Sequence, residues 1–178
     1  NVEFDGVSPI FRPWLERLGR ELRLVCYDER DCGLSASDGE ALGLDASVEE
    51  LQVVVDAAAE PRVALLGISG GAATAVAYAA RHPQRVSHLV LLGGYMAGPL
   101  ARSPSANARA YAEATLTLVR LGWGQPNSAV QQFFSAQMVP EASAEQREAM
   151  TEQQRRSCDA ARAEAILRAR LLVDVRAE

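Results

Sequence analysis

The feature that most constrains this chain is the run at residues 67–71, Gly-Ile-Ser-Gly-Gly, which has the pattern Gly-x-Ser-x-Gly. An apolar segment comes directly before it, and an alanine-rich, helix-forming segment comes directly after it. A strand, a tight turn and a helix in this order form a nucleophile elbow, which exposes a serine hydroxyl above the end of a sheet. The flanking glycines allow the sharp turn and close packing of strand and helix. We therefore predict that Ser69 is a nucleophile on an elbow built by Gly67 and Gly71.

The residue after the serine is predicted to stabilise charge. Gly70 lies where the following helix begins, and the first amides of a helix have no acceptor within it. The helix dipole also favours negative charge at this end. We expect the Gly70 N–H to donate to the oxyanion that forms when a serine attacks an acyl carbonyl. A chance occurrence of the pattern in a glycine-rich turn is the alternative.

Composition narrows the class of protein. The chain has 178 residues, of which 48% are hydrophobic, and this length fits one domain or one domain with an insertion. A net charge of −5 gives no support to nucleic-acid binding. Arginines near the end alternate with glutamates, which is typical of a solvated helical surface. We find no apolar run of transmembrane length and no signal peptide, so no membrane contact is predicted.

The cysteines indicate a reducing compartment. There are three of them, Cys26, Cys32 and Cys158, an odd number without the spacing of a metal site. We therefore predict free thiols, no metal, no cofactor and a cytoplasmic location. Because Cys26 lies within an apolar run, we expect its thiol to be buried.

Strand and helix signals alternate in the first part of the chain. Apolar runs predict strands, alanine-rich or capped runs predict helices, and a stretch rich in glycine, serine and acids predicts a loop. Alternation at this spacing predicts right-handed crossovers and a parallel sheet covered on both faces. The predicted strands are 22–27, 62–66 and 86–92, the helices are 8–20, 47–59 and 72–82, and the loop is 28–44.

Beyond Pro99 only helices are predicted. Their ranges are 104–122, 127–138, 143–156 and 158–172. A capping box at Ser143 marks the start of the third. Apolar spacing predicts one packing face on each of the first two helices. The first face holds Tyr111, Ala114, Leu118 and Leu121, and the second holds Val130, Phe133, Phe134 and Met138.

These motifs together resemble the α/β-hydrolase superfamily. Residues 27–35, Tyr-Asp-Glu-Arg-Asp-Cys-Gly-Leu-Ser, resemble the loop after its fourth strand, D-x-R-G-x-G-x-S, with Asp31 at a glycine position. Residues 67–71 resemble the elbow after its fifth strand, and 82–92 resemble the segment that leads into its sixth. The chain also resembles bacterial hydrolase domains of the kind fused to transcription-regulator or cyclase modules. The resemblance implies an α/β-hydrolase fold, with a parallel-sheet core incomplete in this chain and a helical cap.

The resemblance also implies a division of the chain. Residues 1–98 would form a partial core with the elbow, 99–172 the cap, and 173–178 a return to the core. The first three strands would precede Asn1, and the seventh and eighth would follow Glu178. The third strand lies between the fourth and fifth in this superfamily, so its absence would leave a gap in the sheet. Fused or companion segments are therefore expected to complete the fold.

The resemblance implies that several catalytic groups lie elsewhere. The second oxyanion donor comes from the loop after the third strand, and the catalytic acid and histidine follow the cap. The two histidines here, His82 and His88, flank a helix-to-strand connection away from the elbow. We therefore expect the acid and the base outside these 178 residues.

The sequence favours a serine hydrolase that acts on carboxylic esters or related acyl compounds, with a small-molecule substrate. Haloperoxidase-like chemistry and carbon–carbon bond hydrolysis use the same elbow and stay open. The sequence is also compatible with a ligand-binding sensor on the same fold that does little chemistry, and with an inactive fragment of a hydrolase. The presence of a triad histidine would distinguish an enzyme from these two.

Overall fold

The computed structural model describes residues 1–36, 42–125 and 129–178. Within these ranges, none of the helices is both long and apolar enough to cross a membrane. In chain order the elements are α1 (Val2–Asp5), α2 (Arg12–Gly19), α3 (Leu44–Ala57), β1 (Val63–Ile68), α4 (Gly71–Arg81), β2 (Val86–Leu92), α5 (Pro99–Arg102), α6 (Ala106–Gly122), α7 (Ala129–Met138), α8 (Ala144–Ser157) and α9 (Ala160–Leu172).

The two strands form a parallel pair joined by α4. Ala64 lies opposite His88, and the register runs to Ile68 opposite Leu92. A parallel connection needs a crossover, and α4 supplies it by packing on both strands, with α3 packed on α4 in turn. The predicted β–α–β unit around the elbow is therefore confirmed.

The first turns of α4 are made of small residues. Ala72, Ala73 and Ala75 are buried. A Cβ atom placed on Gly67 would lie only 2.7 Å from the Cα of Ala72. No side chain fits between strand and helix at that point, so the first turn of α4 lies directly on the end of β1.

The predicted strand at 22–27 is wrong. The structure has no strand there, and Leu22 and Val25 are exposed. Cys26 is also exposed, so the expectation of a buried thiol is wrong. A strand is stable only when a neighbour accepts its backbone hydrogen bonds, and within the described ranges this segment has no ladder partner.

Two helix starts differ from expectation. The helix predicted to begin at Ser47 begins at Leu44, with Gly43 as its N-cap. The helix predicted from Ser8 begins at Arg12, with proline in its first turn, where a missing amide hydrogen costs nothing. The loop predicted at 28–44 includes residues 37–41, which lie outside the described residues.

Contacts divide the chain into two compact units. One comprises Asn1–Gly39 and Thr117–Glu164, and the other comprises Glu40–Leu116 and Ala165–Glu178. The sequence-derived boundaries of core and cap, at 98 and 172, stay predictions.

In the unit that contains the N-terminus, the acidic loop after residue 27 is held by its own carboxylates. The Asp28 carboxylate accepts hydrogen bonds from the amides of Val2, at 2.9 Å, and Leu34, at 3.1 Å. Asp31 has φ 60°, the left-handed conformation that favours glycine, and it stands where the superfamily pattern has glycine. Its carboxylate pairs with Arg162 at 2.8 Å, which anchors the strained residue.

In the unit that contains the elbow, the last helix closes onto the segment after β2. Leu116 of α6 and Leu171 of α9 pack in one apolar cluster with Ala112. The Gly98 amide donates to the carbonyl of Val173 at 2.7 Å. The carboxyl end of α9 is therefore fixed against the backbone that follows β2.

The buried face of α6 is not the predicted one. The buried residues are Ala112, Leu116 and Val119, whereas the expected residues Leu118 and Leu121 are exposed. Apolar side chains occur on both sides of this helix, so spacing alone does not select the face that packs.

The second predicted packing face is also not fully buried. Phe133 and Met138 are exposed, and Phe134 is half-buried with its ring against that of Trp123. The predicted start of this helix, residues 127 and 128, lies outside the described residues. The capping box at Ser143 is confirmed, with the Gln146 amide donating to its hydroxyl at 3.2 Å.

We predict that two leucines of α6 differ sharply in their contribution to stability. Leu116 is 1% exposed and Leu121 is 72% exposed. Leu116→Ala should lower the free energy of unfolding by about 2–5 kcal/mol because it leaves a cavity. Leu121→Ala, its matched control, should change it by less than about 0.5 kcal/mol. Urea unfolding followed by circular dichroism measures both, and equal losses would contradict the observed face.

Candidate functional site

The elbow serine has the backbone conformation that a nucleophile elbow requires. Ser69 lies between the end of β1 and the start of α4 with φ 52°. A non-glycine residue in this region stores roughly 1–3 kcal/mol of strain, so surrounding bonds must hold it. The Ser69 amide donates to the carbonyl of Leu92 at 3.0 Å, and the Ala72 amide donates to the Ser69 carbonyl at 3.1 Å. Strand β2 and the first turn of α4 thus fix the turn from both sides, and Ser69 is exposed.

Gly70 begins the helix that follows the serine. It is the N-cap of α4, with φ −61° and ψ −30°. Amides at this end of α4 have no acceptor within the helix, and the dipole favours negative charge there. Gly71 would have open space around an added Cβ, so the structure gives no steric reason for glycine at that position.

The segment after β2 approaches the elbow closely. A Cβ placed on Gly94 would lie 2.3 Å from the Cβ of Ala72 and 3.7 Å from the carbonyl oxygen of Ser69. Tyr95 follows and is half-buried. Burial raises the pKa of its phenol, and the nearby positive charge of Arg170 opposes part of that rise. Tyr95 therefore keeps its proton near neutral pH and can act as a hydrogen-bond donor.

Arg170 is a site residue that the sequence did not reveal. Its side chain lies against Gly70, because a Cβ placed there would be 2.7 Å from Nε and 3.1 Å from Cζ. The sequence pattern assigned the arginines of this region to a solvated surface, and for Arg170, which is half-buried, that assignment is wrong. Among several arginines of similar spacing, no local signal marks the one that reaches the elbow.

Neither histidine is near the serine. His82 follows the last residue of α4, with its ring 4.7 Å from that of Tyr78. Since α4 has 11 residues, it separates His82 from the elbow by about 16 Å. His88 pairs with Ala64, four positions before the carboxyl end of β1. Both lie toward the opposite end of this β–α–β unit from Ser69.

Possible metal ligands are dispersed through the part of the chain that the structure describes. It contains no cluster of three or more histidine, cysteine, aspartate or glutamate side chains that could hold an ion. The thiols of Cys32 and Cys158 contact each other, and this contact together with burial raises the pKa of Cys158. Neither cysteine forms a disulfide.

Comparison with solved structures shows the fold. A hydrolase from Pseudomonas aeruginosa PA01 aligns with TM-score 0.72 and 21% identity, over 95% of this chain and 61% of that one. The esterase EaEST from Exiguobacterium antarcticum aligns with TM-score 0.73 and 18% identity, over 93% and 62%. An epoxide hydrolase from Bacillus megaterium aligns with TM-score 0.67 and 17% identity, over 91% and 61%. The chain thus spans about three fifths of the length of these structures.

Comparison of the sequence with protein-family models identifies the same fold. No curated protein matches the chain significantly. A family model described as alpha/beta hydrolase fold matches residues 4–161, most of the chain. With its parallel strands, its crossover helix and its strained serine between them, this chain belongs to the α/β-hydrolase fold family.

Proposed function

We propose that this chain carries the nucleophile of a serine hydrolase that acts on carboxylic esters or related acyl compounds. The observation that carries the proposal is the conformation of Ser69. A serine at φ 52°, fixed between the end of a parallel strand and the start of a helix, has the geometry of a nucleophile elbow. The esterase and other hydrolases among the similar structures fit this assignment.

The chemistry would proceed through an acyl-enzyme. The Ser69 hydroxyl attacks the acyl carbon, and the carbonyl oxygen becomes an oxyanion that accepts from the Gly70 N–H. Collapse of this intermediate expels the alcohol and leaves the acyl group on Ser69. Water then attacks the acyl-serine and releases the acid, which restores the hydroxyl.

A general base must take the serine proton, because a serine hydroxyl is a weak nucleophile near neutral pH. His82 and His88 both lie toward the far end of the β–α–β unit from Ser69. We propose that the base, the acid that orients it and a second oxyanion donor come from segments outside this chain.

Exposed apolar side chains on the strands also support a contribution from segments outside this chain. Four large apolar residues of the two strands are 44–54% exposed: Leu66, Ile68, Val90 and Leu92. Large apolar side chains in this setting are typical of a surface that another element covers. We propose that further strands and helices from fused or companion segments cover them, and that helices of the 99–172 region form a cap that shapes access to Ser69.

A sensor without catalysis is the second candidate. The position of both histidines away from Ser69 is the observation that favours it. The kinetic experiment below separates the two candidates, because a sensor would bind acyl compounds without turning them over.

We predict that Ser69→Ala abolishes ester hydrolysis in the natural protein that contains this chain. Removal of the nucleophile should lower kcat for a p-nitrophenyl ester by about 10⁴-fold or more. Ser87→Ala is the matched control, because Ser87 lies near the amino end of β2, at the opposite end of the strand from the elbow, and it should leave kcat unchanged. Turnover by the Ser69 variant at the normal rate would refute the proposed nucleophile.

We also predict that residues 1–178 alone are a poor catalyst. Without a general base, kcat should fall by about 100-fold or more relative to the natural protein. The measurement is hydrolysis of the same ester by both proteins at equal concentration, after circular dichroism has verified that each is folded. Comparable rates would show that a base lies within this chain, and His82 and His88 would then be the residues to replace.

A further inference from the structure

The side chain of Arg170 covers the residue next to the nucleophile. An added Cβ on Gly70 would be 2.7 Å from its Nε, 2.9 Å from its Cδ and 3.1 Å from its Cζ. Real Cβ atoms essentially never make contacts under 3.0 Å, so a side chain at position 70 would displace this guanidinium from its place. A positive charge therefore lies beside the amide that would bind the oxyanion.

The backbone of Arg170 is fixed. A Cβ placed on Gly98 would lie 2.3 Å from the Arg170 carbonyl oxygen, so the two backbones are in direct contact. One residue further on, Leu171 is buried in the apolar cluster with Leu116. Packing on both sides sets the position from which the guanidinium reaches the elbow. A side chain that is already positioned loses less conformational entropy when it binds a ligand.

The Arg170 guanidinium has a polar neighbour in Tyr95. Tyr95 lies close enough to Arg170 for its phenol to sense the positive charge, and it follows the segment that approaches Ser69. A guanidinium and a neutral phenol both donate hydrogen bonds. Two hydrogen-bond donors, a guanidinium and a neutral phenol, therefore lie near each other.

The geometry points to a substrate that carries a carboxylate. We infer that Arg170 binds this carboxylate, and that the substrates are acyl compounds with an anionic group a few atoms from the scissile carbonyl. A guanidinium matches a carboxylate in bidentate fashion, and its five N–H groups allow one contact within the protein and another with a ligand. The inference rests on the proposed role of Ser69 as nucleophile.

The rates of esters with and without a carboxylate distinguish this role of Arg170 from a role in binding the oxyanion. If the guanidinium donated to the oxyanion itself, its removal would slow every ester equally. If it binds a carboxylate on the substrate, its removal slows only esters that have one.

The experiment compares two esters of equal acyl length. Monoethyl glutarate carries a carboxylate where ethyl pentanoate carries a methyl group, and ethanol release measures kcat/KM for both. We expect the natural protein to prefer the glutarate ester. Arg170→Leu should lower kcat/KM for it by about 10- to 100-fold, the value of a charged hydrogen bond, and should change that for ethyl pentanoate less than about threefold.

Two further variants define the effect. Arg170→Lys keeps the charge but loses the bidentate fork, so it should restore part of the preference. Arg168→Leu removes the same charge two residues earlier on α9, where Arg168 is exposed and pairs with Glu113 at 3.7 Å, and it should leave the ratio of the two esters unchanged. Equal loss of both esters in Arg170→Leu, or no preference in the natural protein, would overturn the inference.

A binding measurement separates this inference from the proposed function. Calorimetry with the Ser69→Ala protein gives the affinity for monoethyl glutarate without turnover. We expect Arg170→Leu in that background to weaken binding about tenfold or more, and added salt to weaken it as well. If neither ester is hydrolysed but this difference in affinity remains, the proposed function fails and the anion site stands. Equal affinity with and without Arg170 would refute the site.

Discussion

The direct contact between β1 and the first turn of α4 determines the rest of the site. Because Gly67 has no side chain, the Cα of Ala72 can approach it closely enough that even a methyl group would not fit. The chain must then pass from strand to helix within a very short turn. Ser69 takes up that turn with a left-handed backbone, and β2 and α4 each hold it with one backbone hydrogen bond. The strain is thus a consequence of packing, and it leaves the serine exposed at the carboxyl end of the strands.

The sequence was most informative where structure is local. The elbow, β2, α4 and the capping box at Ser143 could all be predicted, since each depends on neighbours within a few residues. Prediction failed where a distant partner decides the outcome. Residues 22–27 have the composition of a strand but no ladder in the described part of the chain, and α6 packs through Leu116 because other elements select that face. Arg170 was missed because its approach to the elbow depends on where the end of α9 is fixed.

Asp31 shows how a departure from a family pattern can be tolerated. The superfamily loop has glycine where this chain has aspartate, and the residue keeps the left-handed conformation that glycine favours. Aspartate is among the non-glycine residues that enter this region most readily. The aspartate side chain also forms an ion pair with Arg162 at 2.8 Å, which a glycine could not form. This contact offsets the backbone strain within the same unit. A mismatch in a motif is therefore weak grounds for rejecting the fold.

Covalent labelling tests the proposed role of Ser69 as the nucleophile most directly. The natural protein should be treated with a fluorophosphonate, which reacts with activated serines, and the adduct located by peptide mass spectrometry. We expect one adduct per chain, on Ser69, and none in the Ser69→Ala protein. An adduct on any other serine, or the absence of an adduct in a protein that hydrolyses esters, would contradict it.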